Sequence, residues 1–584
     1  MLRARSLLVA SPVAQLKRVM STSSTTTTTA AASTTAVTTT TTSEPLSTHL
    51  HRVKVLNLPT HENSAIKKFL QSHGVDRFKK APKWRYAFVN FESEEAAQEL
   101  MKKLEGVDFK KKTLTTEYSL VNKEAYRERF QSKQKERIEQ VENDTRTHAE
   151  RLADQVTPLH RIPYEEQLTK KHKTGIAHLN RFKRRMTQLQ DLNDASKAQI
   201  AWAFEKNGLP FEILDPIASP EINGYRTKCE FTIGRSPEGE PTVGFLLGLY
   251  RHGITSVLSP DDCLHVPDVS KQIASTMQEY VRHSEYPVYD RVEKIGVWRS
   301  MMVKAQKTGD VLILVQLKAS DLSEEQLAKE KKKLTEYWTE FGNKDKINVK
   351  TLLLQVWDGD SNGITEKGRT ETLIGDGYVY EEILGCRFRL SSSAFFQVNT
   401  PATELLYTKC AEWCNIDKNK KTTLLDLCCG TGTIGITMAR TVDRVIGIEM
   451  IADAIVDAKA NAEMNNIANV QYHASKVEEK IDVVTNEKNE EVVAVLDPPR
   501  NGVHSTVIRA VRESPQIRKV IFISCDAYQA MQNFISLCRP TSNRFKGMPF
   551  RPTRAVSIDL FPHTEHCELL IEFVRIEEDE VKQP

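Results

Sequence analysis

In VIFISCDAYQAM, Val520–Met531, an apolar run stops on Ser524 and Cys525, turns polar and then resumes. A structural cysteine belongs inside such a run, where Cys538 is placed; a thiol at its end sits where a buried strand opens onto a loop, a position suited to a nucleophile. A second group of residues predicts a ligand beside it. TTLLDLCCGTGTIGITMA reads as an apolar strand over Leu424–Leu427, a glycine-rich turn with Gly430, Gly432 and Gly435, and an apolar helix. RVIGIE follows as a second strand ending on Glu449, about 20 residues on, where an acid accepts hydrogen bonds from ribose hydroxyls. Glycines there let the backbone approach a ligand closely, so a nucleoside cofactor is implied. Dinucleotides and methyl donors share this geometry, and the turn does not choose between them. VVAVLDPPRNGV brings Asp497 to the end of a fourth strand and KVIFISCD brings Cys525 to the end of a fifth, both at the carboxyl edge of a doubly wound sheet, where ligands bind.

The chain that carries these elements has 584 residues, 40% hydrophobic and 27% charged, enough for several cores and roughly three or four domains. A net charge of +4, from 81 basic and 77 acidic residues, excludes a wholly basic nucleic-acid coat and leaves only local basic surfaces. Ten scattered cysteines without a CxxC pair exclude a disulfide framework or a zinc module and point to a reducing compartment. No run approaches the roughly 18 to 20 apolar residues that span a bilayer, so no membrane association is expected.

Residues 1–47 read as a disordered leader. Arg3, Arg5, Lys17 and Arg18 precede the first acid, Glu44, the composition of a mitochondrial presequence, while a start at Met20 would leave the protein in the cytoplasm or nucleus. The Thr-rich stretch from Ser21 to Ser43 is too simple to pack a core.

Residues 48–120 alternate strands and helices: RVKVLNLP, a helical pattern with Ile66, Phe69 and Leu70, the run RYAFVNF, a helical pattern with Ala96, Leu100 and Leu104, and a final strand around TLTTEYS. That ferredoxin-like order resembles an RNA recognition motif. WRYAFVNF matches most of that family's aromatic octamer, which implies Tyr86 and Phe88 as base-stacking residues; Trp84 and Lys54 depart from its pattern. A protein partner on that face is the other reading. Residues 121–205 form a charged helical connector in which Lys170, Lys171, Lys173, Arg181, Lys183, Arg184 and Arg185 either neutralise phosphates or make an exposed helix face. Residues 206–385 form a β-rich α+β domain with a hairpin about SPEGEP and a buried strand in GDVLILVQL; Tyr225, Arg226 and Lys228 either contact a substrate backbone there or, as the pattern alone favours, are surface polar residues flanking a strand. Residues 386–575 carry the Rossmann-like site, making the chain an α/β protein overall, and 576–584 are a tail.

SSSAFFQVNTPATELLY, DLCCGTGTIG, LDPPRNG, FISCD and LFPHTEHCELL occur in the order seen in the RNA uracil-5-methyltransferases. With its N-terminal module the chain is similar to the eukaryotic tRNA (uracil-5-)-methyltransferases that carry an RNA recognition motif. The resemblance covers most of 205–575. It implies S-adenosylmethionine as methyl donor, Cys525 as nucleophile, Glu568 as base and tRNA as partner. Gln397, the glycine-loop positions Cys428, Gly430 and Thr433, and also Glu449 and Asp497, match the family's cofactor-binding positions. Cys428 stands where some relatives have an aromatic. Relatives acting on ribosomal RNA often carry a barrel and an iron-sulfur cluster; this chain has neither pattern, so no metal is expected, and a monomer is.

The chemistry explains the residue types. Uracil C5 is a poor nucleophile until a thiolate adds to C6 and makes C4, O4 and C5 an enolate. The thiolate requires a depressed pKa or an adjacent base at the moment of attack. After methylation C5 retains its proton, which a general base must remove before the cysteine can leave. Glu568 is the candidate and Glu565 its rival, and the base must be turned out of the T-loop, at uridine 54, to be reached. Two alternatives stand beside this: RNA cytosine-5 methylation, disfavoured because Ser524-Cys525 lacks a Pro-Cys partner, and a tRNA-binding folding factor with incidental methylation.

Overall fold

The computed structural model describes residues 49–60, 63–75, 77–81, 84–110, 112–122, 145–190, 192–206, 208–248, 255–359, 361, 363–480, 482–483 and 491–581. The leader of 1–47 and much of the early connector, 123–144, lie outside the described residues. The chain divides into two units, Met1–Glu136 and Arg137–Pro584.

In the first unit, strands Ala87–Phe91, His49–Val55 and Thr116–Asn122 pair antiparallel in that order. Helices Asn63–Ser72 and Glu94–Leu104 cover one face, where Val53, Val55, Ala87 and Val89 pack with Ile66, Leu70, Ala97 and Leu100. The second helix starts at Ser93, whose side chain accepts from the Ala96 N–H, and carries Glu94 and Glu95 in its first turn and Lys102 and Lys103 in its last. That is the polarity a helix dipole favours. The last strand runs later than TLTTEYS suggests, because Asp108–Phe109 and Lys112–Thr113 first pair as a short hairpin.

The second unit holds two large sheets. Seven strands run in the order Arg369–Ile374, Val349–Val356, Val311–Leu317, Trp298–Ala305, Lys228–Arg235, Pro241–Leu246 and Val257–Leu258. Helices Asp268–Arg282 and Glu324–Asp345 cover one face through Ile273, Met277, Leu334 and Trp338. The other face, with Met302, Leu312, Leu314 and Leu353, belongs to the core of the second sheet, so every position of Trp298–Ala305 is buried.

The second sheet has eight strands in the order Val470–Ala474, Arg444–Glu449, Thr422–Leu427, Glu491–Leu496, Ile517–Ser524, Glu568–Arg575, Phe550–Ile558 and Glu212–Ile213. Its first five strands, four neighbouring pairs, are parallel, and Glu568–Arg575 then runs antiparallel to Ile517–Ser524. Successive residues serve opposite faces: Leu425, Ile446 and Ala494 enter one core, Leu424, Val445 and Val493 the other. Both faces are covered, which is why these strands read as continuous apolar runs.

The helix Tyr164–Thr187 belongs to this unit's core, with Leu179, Phe182 and Met186 buried against Phe534 and Phe573. Its basic stretch is therefore exposed along one side only. Lys171, grouped in the sequence with phosphate-binding lysines, is a correction: its Nζ lies 2.7 Å from Asp559 Oδ1 in a pair whose side chains are 2% and 0% exposed. The apolar residues at helical spacing decide which side turns inward, and Lys171 falls on that side.

Candidate active site

Neighbouring strand order reverses between Thr422–Leu427 and Glu491–Leu496, which opens a crevice at their carboxyl ends. A cavity of about 940 Å³ lies there, and Gln397, Cys428, Gly430, Thr433, Glu449, Asp497, Cys525 and Glu568 all line it. The strand ladders show why. Leu427 pairs with Ile448 on one side and with Leu496 on the other, so the next rung aligns Cys428 with Glu449 and Asp497. Ser524 pairs with Leu569 in the antiparallel ladder, so the next rung sets Cys525 opposite Glu568. The two residues that the chemistry pairs are thus brought together by the register of the one strand that runs the other way.

The glycine loop is shaped by backbone angles. Cys428, Gly430 and Gly432 all have positive φ, at 72°, 54° and 79°. A Cβ at Gly432 would lie 2.5 Å from the Tyr472 hydroxyl, whereas one at Gly430 would meet nothing within 4 Å; Gly430 is needed for its angle, Gly432 for both angle and space. Glu449 fixes the loop: its carboxylate accepts from the N–H groups of Gly430 at 3.2 Å and Ile451 at 2.9 Å. Gln397 sits on the segment after Ser391, which Lys304 holds by donating to the carbonyls of Ser391 at 2.6 Å and Ala394 at 2.8 Å. Asp457 accepts from the Ser391 hydroxyl at 2.7 Å.

Electrostatically the site is a cluster of carboxyl groups. Burial, and then the charges of Glu568 and Asp497, push the Cys525 thiol up to about 11 against the pull of Arg500. The resting group is a thiol, so of the two routes to a thiolate the adjacent base is the one the site offers. Glu568, 3% exposed, is raised to about 8 by burial and by Asp497, with Arg500 opposing. Burial raises Asp497 to about 7 although Gln397 hydrogen-bonds it. Glu565, the rival base, is exposed and ion-paired with Lys170 at 3.2 Å, away from the cavity lining.

Sequence reasoning missed several groups. Asp426, two residues before the glycine turn, is buried and raised to about 7 by burial although it accepts from Gly435 N at 2.9 Å. Its Oδ1 and the Thr431 hydroxyl have no partner. Its signal was a carboxylate inside an apolar strand, in LLDL. The Tyr407 hydroxyl lies 3.0 Å from Thr433 Oγ1. Around the base, Lys171 Nζ also donates to the Phe561 carbonyl at 3.0 Å, and the Tyr164 hydroxyl donates to Asp559 Oδ2 at 3.1 Å. Gln167 accepts from His563 N at 2.8 Å, and Tyr225, buried instead of flanking a strand at the surface, donates to the Pro562 carbonyl at 3.1 Å. No local pattern connects Tyr164 or Lys171 with a loop nearly 400 residues later in the chain.

The unpartnered Thr431 hydroxyl on the cavity wall, a glycine loop with free backbone approach and the carboxylates of Glu449 and Asp497 fit a ligand that carries hydroxyls and positive charge. Among the described residues no set of three or more metal-ligating side chains is gathered, and no helix is long and apolar enough to cross a membrane.

Tyr86 and Phe88 belong to the first unit. They lie on the sheet face opposite Ala87 and Val89, 5.4 Å apart by ring centroids, with Trp84 stacked on Tyr86 at 4.7 Å. Lys54 Nζ is 5.2 Å from the Tyr86 ring.

A family model described as tRNA (Uracil-5-)-methyltransferase matches residues 331–575. The human tRNA (uracil-5-)-methyltransferase homolog A is 35% identical over 546 residues, 91% of this chain and 84% of that protein. Human homolog B is 35% identical over 433 residues, 73% of this chain and 84% of that protein. A crystal structure of the Pyrococcus abyssi tRNA (uracil-54, C5)-methyltransferase with S-adenosyl-L-homocysteine aligns over 71% of this chain and 85% of that one at 19% identity, with a TM-score of 0.50, a likeness of fold.

Proposed function

Because the chain belongs to the tRNA (uracil-5-)-methyltransferase family, we propose that it methylates C5 of a uridine in tRNA, the T-loop uridine 54, with S-adenosylmethionine as donor. One observation carries the assignment of roles: the antiparallel ladder that sets Cys525 opposite Glu568 on the rung after Ser524 and Leu569, inside the cavity lined by Glu449 and Asp497.

Gln397, Cys428, Gly430, Thr433, Glu449 and Asp497 would hold the donor, Glu449 through the ribose hydroxyls. S-adenosylmethionine supplies an electrophilic methyl group that C5 takes once it is electron-rich. Cys525 makes it so: its proton passes to Asp497, whose charge acts on the thiol and which burial raises to about 7, leaving Glu568 free for the later step, and its sulfur bonds C6. Glu568, ionised, then takes the proton from C5; the electron pair of that C–H bond re-forms the C5–C6 double bond and expels the thiolate. Burial holds Glu568 near 8, so the same side chain is basic enough to take a carbon-bound proton and still ionised in part at neutral pH.

The first unit reads as an RNA recognition module in which Trp84, Tyr86 and Phe88 offer ring faces to bases. What supports this is the sheet with both helices on one face and the three rings on the other.

The test is methyl transfer from labelled donor to unmodified tRNA by wild type, Cys525→Ala and Glu568→Gln, with the product nucleoside identified and RNA adducts resolved on a denaturing gel. The expected result is 5-methyluridine from wild type alone and a Cys525-dependent adduct with Glu568→Gln. Formation of 5-methylcytidine, or an active Cys525→Ala, would overturn it.

A further inference from the structure

The helix Tyr164–Thr187 buries one side in the core and leaves the other to solvent, with Lys173, Arg184 and Arg185 exposed on it. This side begins at the catalytic loop, where Lys170 meets Glu565, and passes the helix that follows Cys525. There the Arg181 guanidinium lies 4.6 Å from the centroid of Tyr528, and the His178 ring is 6.1 Å from it. Tyr528 stands three residues after Cys525, in the first turn of Ala527–Cys538, and is 43% exposed. Its neighbours on that helix, Ala527, Ala530 and Met531, are buried, so the core does not require an aromatic at 528.

We propose that Tyr528, Arg181 and His178 form a stacking subsite for an unpaired base adjacent to the target uridine, with the exposed cations of the same helix meeting the phosphates that flank it. This rests on the reading of the protein as a tRNA uridine methyltransferase. Turning one base out of its stack leaves its neighbours unstacked. Exposed aromatic rings and guanidinium planes take such bases without demanding a sequence. A guanidinium resting over one face of the tyrosine ring holds that ring in place and leaves its other face to a base. Burial, with Arg181 adding to it and Asp526 opposing, lowers His178 below its ordinary value, so at neutral pH it contributes a ring more than a cation. An acidic protein segment would be drawn by the same charges, but it gives no reason for two aromatic planes at the first turn after the nucleophile; the rings favour a base.

The experiment uses the full chain and unmodified tRNA, with KM for tRNA and for S-adenosylmethionine measured separately for wild type, Tyr528→Ala, Tyr528→Trp and Arg181→Met. Tyr528→Ala is expected to raise KM for tRNA about tenfold, Tyr528→Trp to restore it, and Arg181→Met to fall between. KM for S-adenosylmethionine should hold in all three, which also shows that the site is folded. An unchanged KM for tRNA in Tyr528→Ala overturns the subsite and leaves the charged face to a protein partner. Tyr528→Trp as impaired as Tyr528→Ala overturns stacking. A wild type that methylates no tRNA uridine overturns the functional reading itself, and the subsite with it.

Discussion

Trp84, Tyr86 and Phe88 meet on the first unit's sheet because they come from one extended segment, where side chains two residues apart share a face. Gln397, Glu449, Asp497, Cys525 and Glu568 meet in the second unit's cavity although they belong to five separate segments. The first surface is open and its rings pack on one another, on Arg52 and on Lys54. The second is enclosed, and burial there shifts Asp497, Glu568 and the Cys525 thiol upward. A surface made by local periodicity can bind, since stacking asks only for rings. Covalent chemistry needs groups whose acidities are reset by burial and by each other, and only a tertiary assembly supplies that.

The sharpest way to break this contrast is Cys525→Ala. Turnover should fall at least about 10³-fold with affinity for S-adenosylmethionine kept, measured by calorimetry; retained turnover would make the enclosed site no different in kind from the open one. Glu568→Gln should cost about 10²–10⁴-fold in turnover while the adduct accumulates. Its pH dependence has a definite sign. Glu568 is ionised above its raised value of about 8, so wild-type turnover should decline as pH falls below 8. Removing that negative charge lowers the Cys525 thiol, since Glu568 is among the causes that raise it, and the variant should form adduct at lower pH than wild type does. An adduct profile that stays put would separate the two groups electrostatically.

Lys171→Met tests whether the enclosed site depends on the helix Tyr164–Thr187. It leaves Asp559 buried without its cation, at an expected cost of about 3–5 kcal/mol, read as a drop in melting temperature. The smallest effect belongs to the open surface. Tyr86→Ala should raise KM for tRNA about three- to tenfold with kcat unchanged, more clearly at higher salt, where phosphate contacts weaken. No change at any salt concentration would remove Tyr86 from RNA binding.

Much of the cavity was legible because several of its parts are local. A strand, a glycine turn and a helix are contiguous in TTLLDLCCGTGTIGITMA, and Glu449 follows at a spacing set by one helix and one strand. Asp497 and Cys525 could be placed because buried parallel strands are continuous apolar runs with visible ends. Glu568 was not legible in this way. Nothing in HTEHCELL states that the following strand runs antiparallel beside Ile517–Ser524, and only the family's motif separated Glu568 from Glu565 before the fold did. Lys171 was misread as one cation among several because its sequence neighbours are basic; its partner, Asp559, lies nearly 400 residues away.

The sequence by itself determined the elements and their polarity: which runs are strands, where the backbone must bend at Gly430 and Gly432, and which side of the Tyr164–Thr187 helix is apolar. These follow from periodicity and backbone stereochemistry, which act over a few residues. The tertiary structure alone decided that Cys525 faces Glu568, that Asp559 holds Lys171 and that the thiol rests protonated at about 11. Register, burial and the field of distant charges are properties of contacts between segments, and a linear chain does not contain them until it has folded.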